Sequence, residues 1–459
     1  MILRVVVGVL LGASVLSEAP VAQAHGRFPG SSGIAFDPTN PEHVVVRMTF
    51  GLYDNETAVA PATDGWRYVC SAAAGFDSNK EEPVLTFAGD RLLLGTFRGL
   101  VVSTPDRCDY DVVASTLDRY IVGVTALPRA DSPVKGSPVL ALSSNGTGVD
   151  TFDVKLFEST DGAASWHELA TSFSKDFLAL TITAVAKNSE PTSWGTLYVS
   201  GRDGTETLGY QAVVMRSDDG GLSWARQVVQ GLDGVETLPY LQGVSPTAPL
   251  TVYAAAVLDA PPVRRQANLA SNDGGVTWRT YFQAEELLPG FALAPDGTKV
   301  AFGGDKTGLR VVSAAQLDDA QAAPAVNKTR VACLSWGSAA LYACGNAFVD
   351  GFSVGKSIDG GVTFEPLTQL TSACGPRECE GTTDVGASCS EAWDKEAKEI
   401  IAPATCTPVS PPVEPESPSC GDCATVPGRA RPWLGRGSAG FEWVLLSLGA
   451  FLRRRRRCP

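Results

Sequence analysis

The sequence is poor in the groups that most often carry chemistry. Among its 459 residues there are three histidines, at 25, 43 and 167, a thin supply for histidine-based acid–base catalysis. Charged residues make up 19% of the chain and the formal charge is −13. Phosphate contacts need clustered Lys and Arg, so nucleic acid is excluded as a partner. No G-x-S-x-G, Walker or G-x-G-x-x-G motif stands in a productive context, and no Cys/His spacing fits a zinc site. No cofactor and no metal is expected. Apolar runs fall short of the ~20 residues of a comfortable membrane span.

What is plentiful is glycine (47) and proline (30), over a normal 44% hydrophobic content. That balance predicts many short strands and tight turns rather than long helices.

Both ends read as processing segments. Arg4, the apolar stretch from Val5 to Leu16 and the small residues Ala22–Ala24 form a secretory signal peptide over 1–24. The mature chain then starts at about His25. At the other end, residues 407–419 carry five prolines and predict an extended stalk. Residues 420–459 follow with Cys420 and Cys423, the apolar stretch Phe441–Leu452 and the cluster Arg453–Arg457. Cysteine, apolar segment and arginine cluster in that order resemble the myxobacterial C-terminal sorting signal (MYXO-CTERM). The resemblance implies a processed tail and a protein that ends at the cell surface or associated with the outer membrane. Ala24, Cys420 and Cys423 are then the processing positions, either cysteine being eligible as the sorting one. Contact with membrane is expected only through this tail, before it is removed.

Eleven cysteines agree with export, since an oxidising compartment favours disulfides over free thiols. Cys333 and Cys344 flank "LSWGSAALYA". A hairpin centred between Ser338 and Ala339 sets them face to face, so this bond is expected first. Cys374, Cys379, Cys389 and Cys406 fall in a separate segment, 371–406, whose pairing cannot be read from spacing. That segment is expected to close or cap the domain before it.

Residues 25–370 contain a repeat. "STDGAASW" (159–166), "SDDGGLSW" (217–224), "SNDGGVTW" (271–278) and "SIDGGVTF" (357–364) share the pattern S-x-D-x-[GA]-x-[ST]-[WF]. "TDGW" at 63–66 is a contracted relative, "STPDRCDY" at 103–110 has lost the aspartate from its place, and Ser313 marks a further degenerate unit. The anchoring aromatics stand at 66, 110, 166, 224, 278 and 364, the last gap leaving room for one hidden unit near 320. Paired apolar strands precede each turn, for instance "GIAF" with "HVVVRMTF" and "VLTF" with "RLLLGTF". Units of three or four short strands at this period predict an all-β fold, a seven-bladed β-propeller, with six or eight blades as alternatives.

The octets resemble Asp-boxes, also called BNR repeats. These occur in sialidases, some glucanases, sortilin-type receptors and assembly factors. The resemblance implies that each octet joins the two outer strands of a blade, on the face away from the ligand site. Ser159, Asp161, Trp166, Ser217, Asp219, Trp224, Ser271, Asp273, Trp278, Ser357, Asp359 and Phe364 are then structural. The aspartate can fold back onto amides of its own turn, a glycine can take positive φ, and the aromatic can cover the neighbouring blade. A calcium loop is the competing reading. It would need six to eight oxygens, and the octet lacks a terminal bidentate carboxylate.

The opposite face would carry the loops between second and third strands, such as "FRG" (97–99), "NGTGVDTFD" from Asn145, "RDGTETLGY" from Arg202 and "NAFVDG" from Asn346. Candidate ligand residues there are Arg98, Arg119, Tyr120, Arg202, Tyr240 and Arg264. Arg27 joins them because "RFP" partly matches the first arginine motif of sialidases, a family whose members use an arginine triad, a Tyr–Glu pair and an acid/base aspartate. Glu285–Glu286 reads as a solvated loop. The expected function is a cell-surface binding or scaffolding module, its partner a glycan or a surface protein. A glycoside hydrolase, sialidase-like or otherwise exo-acting, on the same scaffold is the alternative.

Overall fold

The computed structural model describes residues 28–55, 65–127, 138–187, 190–233, 238–258 and 264–394. The signal-peptide, stalk and sorting-tail readings, with Ala24, Arg27, Cys406, Cys420 and Cys423, lie outside the described residues.

Seven antiparallel sheets follow one another along the chain. They span residues 31–70, 84–112, 121–168, 178–233, 239–284, 290–313 and 333–368, and are numbered blades 1 to 7. The innermost strand of each blade touches that of the next, and blade 7 returns to blade 1. The chain is therefore an all-β, seven-bladed propeller. Blade 6 has three strands. After Ser313 its fourth strand gives way to a 3-10 helix, Ala314–Asp319, at the position of the hidden seventh repeat.

Packing is between blades rather than around one centre. One hydrophobic cluster joins blades 3 and 4 through Leu142, Leu156, Ile182 and Leu197; another joins blades 4 and 5 through Val185, Tyr198, Val214 and Leu269. Near the axis the blades converge, and small residues let them do so. A methyl group placed on Gly33, Gly123 or Gly243 would come within 2.8–3.0 Å of Leu85, Ile182 or Leu293 of the following blade.

Each of the four complete octets folds in the same way. The Ser217 hydroxyl donates to Asp219 at 2.7 Å and accepts the Gly221 amide at 2.8 Å; Asp219 accepts the Ser223 amide at 2.9 Å and the Ser223 hydroxyl. Ser271/Asp273/Thr277, Ser357/Asp359/Thr363 and Ser159/Asp161/Ser165 repeat the pattern. The two central residues take positive φ, 74° and 94° at Gly220 and Gly221. Ala163 holds the second position at 67° in blade 3, where a side chain is unfavourable. Gly221 packs against Leu156 and Gly275 against Val214, so each octet seats on the preceding blade. The aromatics follow: Trp166, Trp224, Trp278 and Phe364 lie half-buried against blades 2, 3, 4 and 6.

No four-stranded blade mixes strands from the two ends of the chain, so the ring is closed differently. After blade 7, the strand Ala373–Pro376 runs parallel to the outer strand of blade 1, Trp66–Cys70. A nine-residue helix follows, Asp384–Ala392, with Thr383 accepting the Gly386 amide as its cap. Two disulfides fix this clasp: Cys389 to Cys70 in blade 1 and Cys379 to Cys108 in blade 2. Cys374 is also disulfide-bonded. The expected Cys333–Cys344 bond is present, with the two residues directly paired in register.

The clasp docks on the degenerate second octet. In "STPDRCDY" the turn serves as a dock: Cys108 takes the disulfide, the Val385 amide donates to the Cys108 carbonyl, and Arg377 donates to the Asp106 carbonyl. Asp384 accepts the Tyr110 amide while Asp109 accepts the Asp384 amide. Beneath the dock lies a buried charge network. Asp54, 1% exposed, accepts from His43 at 2.7 Å, Arg107 at 2.7 Å and Arg377 at 2.8 Å, and His43 reaches Asp37 at 2.9 Å through its other nitrogen. Burial alone would lower the His43 pKa, but the hydrogen bonds to Asp37 and Asp54 outweigh it and raise it. Both carboxylates only accept, so both ring nitrogens must donate and His43 is an imidazolium.

The octets carry a pH dependence. The Thr277 hydroxyl and then its amide hold the Asp273 carboxyl at about 2, and Asp219 and Asp359 are held at about 2 in the same way. A depressed carboxyl stabilises the fold fully above its unfolded value near 4 and stops doing so as pH falls through its folded one. Stability is therefore expected to fall between about pH 4 and about pH 2. In denaturant titrations, Asp273→Asn should flatten that decline; a decline parallel to the parent's would contradict the assignment.

Candidate functional site

The octets and the turns between first and second strands share one face of the ring. The opposite face is formed by loops between second and third strands and by links from one blade to the next. Five aromatic side chains are exposed among the described residues: Phe28, Phe97, Tyr120, Tyr240 and Phe348. All five stand on that opposite face. Phe28 precedes the inner strand of blade 1, Phe97 tops the blade 2 hairpin, Tyr120 precedes the inner strand of blade 3, Tyr240 begins that of blade 5, and Phe348 lies in the blade 7 loop.

Four of them form two pairs. Phe97 meets Tyr120 edge to face, ring centres 4.6 Å apart, beside a cavity of about 260 Å³ lined also by Glu81 and Ile121. Burial, then Glu81 and Tyr240, push the Tyr120 phenol up, so it stays a neutral donor. Phe28 meets Phe348 at 5.3 Å beside a second cavity of about 400 Å³. That cavity is bounded by Leu287 and Pro289 from the blade 5–6 link and Val331 and Ala332 from the blade 6–7 link.

On the same face rise the hairpins of blades 3 and 4. Their strands stay paired out to Gly148↔Thr151 and Thr205↔Gly209, whereas blades 1 and 2 turn at Met48↔Gly51 and Thr96↔Gly99. Measured from the octets they run about four residues longer, roughly 13 Å at strand rise. Asp150 locks the two tips together. It accepts from the Tyr210 hydroxyl at 2.9 Å, the Glu206 amide at 3.1 Å and Arg202 at 3.4 Å, and Arg202 lies 4.0 Å over the Tyr210 ring. Asp150 itself takes φ 52°, a conformation that aspartate tolerates better than most residues.

The arginines expected to gather around a ligand are placed as follows. Arg119 is committed to its own blade: it donates to Ser143 at 2.8 Å and to the Asp153 side chain and carbonyl at 3.0 Å. Arg202 is committed to Asp150. Arg98 and Arg264 are exposed on the blade 2 turn and the blade 5 loop. Tyr120 and Tyr240 are exposed at the start of the inner strands of blades 3 and 5. Glu286 is not merely solvated, because it caps the blade 6 turn by accepting the Lys306 amide at 2.9 Å and the Thr307 amide at 2.5 Å. Glu81 accepts the Phe97 amide at 2.7 Å. Of the three histidines, His43 is buried and His167 is an exposed partner of Glu158 at 3.3 Å. Among the described residues no group of three His, Cys, Asp or Glu side chains is arranged to hold a metal.

The strand order and the closure of blade 7 on blade 1 define the chain as a seven-bladed β-propeller. No protein-family model matches the sequence, and no curated protein matches it. Solved structures do. The chain is similar to the GH74 xyloglucanase from Xanthomonas campestris at 15% identity, over 73% of this chain and 60% of that one, TM-score 0.42. It is similar to hydrazine synthase from Kuenenia stuttgartiensis at 10% identity, over 71% and 96%, TM-score 0.47. It is similar to Ycf48 bound to a D1 peptide at 14% identity, over 52% and 65%, TM-score 0.30. The chain thus spans about three fifths of the xyloglucanase's length, and these likenesses concern the fold.

Removing the lock between the hairpins should free their tips. Asp150→Ala is expected to raise amide exchange at residues 203–209 by at least about tenfold while leaving the blade 5 strands unchanged; unchanged exchange at the tips would contradict the role given to Asp150.

Proposed function

We propose that this chain is an exported Asp-box propeller that works as a binding or scaffolding module at the cell surface, delivered there through a sorting tail of the MYXO-CTERM kind. The ligand or partner, a glycan or a surface protein, sits on the face opposite the octets. One observation carries the reading: every exposed aromatic side chain among the described residues stands on that face. Aromatic rings offer large contact area at low entropic cost, and Tyr adds a polar end for orientation. The disulfides fit an oxidising, extracytoplasmic compartment. The four octets, each closed on its own aspartate, support the Asp-box assignment and the structural role of the acids in it.

The hydrolase alternative needs two carboxyls, or a Tyr–Glu pair with clustered arginines, converging on the funnel. Arg119 and Arg202 are each tied to an aspartate of a hairpin, and Glu81 is tied to the Phe97 amide. Binding is the reading these contacts favour.

A glycan array probed with the protein, followed by hydrolysis assays on any hit, tests it. Phe97→Ala and Tyr120→Ala should each weaken a hit by about tenfold or more, and Ile358→Ala on the octet face should not. A ligand held equally by the parent and by both funnel variants would contradict the placement; turnover of a hit would replace binding with catalysis.

A further inference from the structure

We propose that the partner on this face is a second copy of the same chain, docked face to face so that the hairpin tips of each copy enter the larger cavity of the other. The proposal rests on the reading of this face as the binding face. Three observations lead to it.

The first is the tips. Val149, 90% exposed, and Leu208, 81% exposed, are the most exposed large apolar side chains among the described residues. They cap loop-face hairpins that stay paired to Gly148↔Thr151 and Thr205↔Gly209, and the Asp150–Tyr210–Arg202 contacts hold those hairpins to one another. A rigid projection of this kind loses little freedom on docking.

The second is the place of the cavity. In a ring of seven blades, the boundary between blades 3 and 4 lies directly across from blade 7. The cavity of about 400 Å³ is bounded by blades 6, 7 and 1, and its wall is largely apolar, with Phe28, Leu287, Pro289, Val331, Ala332 and Ala347. A two-fold axis lying between two facing rings, perpendicular to the line from tips to cavity, sets each copy's tips over the other's cavity. Both contacts form at once and are identical, which is the requirement for a closed isologous pair.

The third is charge. Glu206 stands at the blade 4 tip; at the cavity, Asp305 of the blade 6 turn lines the wall paired with Arg330 at 3.6 Å, and Lys306 follows it, leaving one cation in excess on that side. Neither Glu206 nor Lys306 makes an ion pair among the described residues. The same two-fold arrangement brings an acidic tip to a basic rim twice over, which favours this register over others.

Sedimentation velocity of the full chain, over about 1 to 100 µM, reads the outcome. The parent should pass from monomer to dimer with concentration. Val149→Glu with Leu208→Glu should weaken the dimer by at least about tenfold. Glu206→Lys and Lys306→Glu should each weaken it, and the two together should recover most of the loss. A parent that stays monomeric across the range, or that associates equally well with the tips changed, overturns the proposal. A monomeric parent that still binds a ligand lost in Phe97→Ala overturns the second copy while leaving the binding face in place.

Discussion

Asp54 is the point at which the ring is tied. Its carboxylate gathers a donor from its own blade, His43, one from blade 2, Arg107, and one from the clasp, Arg377. Burial would raise its pKa, but these three partners hold it at about 2. A buried charge with one partner removed costs several kcal/mol, so the cluster works as a unit. It fixes where the C-terminal segment can lie, and so where the two cysteines of the clasp must meet Cys70 and Cys108. Those bonds span 319 and 271 residues. Long loops of this kind remove the most freedom from the unfolded chain in the entropic description of disulfides. The largest hydrophobic cluster spans the same seam, joining blades 7, 1 and 2 to Leu370, Ala373 and Val385 of the clasp.

With the seam secured, the ring can divide its labour by face. On one side the octets use their polar atoms on themselves and their aromatics on the preceding blade. The acids most visible in the sequence are spent on turns there. The loops of the other side differ in length and character from blade to blade. The hairpins of blades 3 and 4 are the extreme case.

What the sequence made legible was local. Four octets, the aromatic spacing and the strand pairs before each turn were enough for the seven blades, because each unit writes its own turn chemistry within eight residues. The Cys333–Cys344 bond was legible for the same reason, being two ends of one hairpin. A closing or capping role for segment 371–406 was expected, but the clasp's disulfide partners were not legible, since nothing in the spacing of Cys379 and Cys389 points to partners some 300 residues away; Cys108 inside a broken octet was the available signal. "NGTGVDTFD" and "RDGTETLGY" read as loops because glycine and aspartate dominate them, yet their strands stay paired to the tip, stabilised across blades by Asp150. The exposed aromatics of the loop face were half visible. Tyr120 and Tyr240 stand among the candidate ligand residues, whereas Phe28 and Phe348 pair only through the closure of the ring. Arg119 and Arg202 are candidate ligand residues in the sequence, and the folded hairpins commit them to Asp153 and Asp150.

The central claim is that the ring is closed by its clasp, added outside the four strands of blade 1, rather than by a chain end that supplies one of a blade's own four strands. Native-state hydrogen exchange tests it most directly, comparing the parent with a variant carrying Cys70→Ser, Cys108→Ser, Cys379→Ser and Cys389→Ser. The expected result is lost protection first in the inner strands on either side of the seam, Ser31–Asp37 and Cys333–Trp336, with blades 3 to 5 still protected. Protection lost evenly around the ring, or a seam as well protected as in the parent, would contradict it.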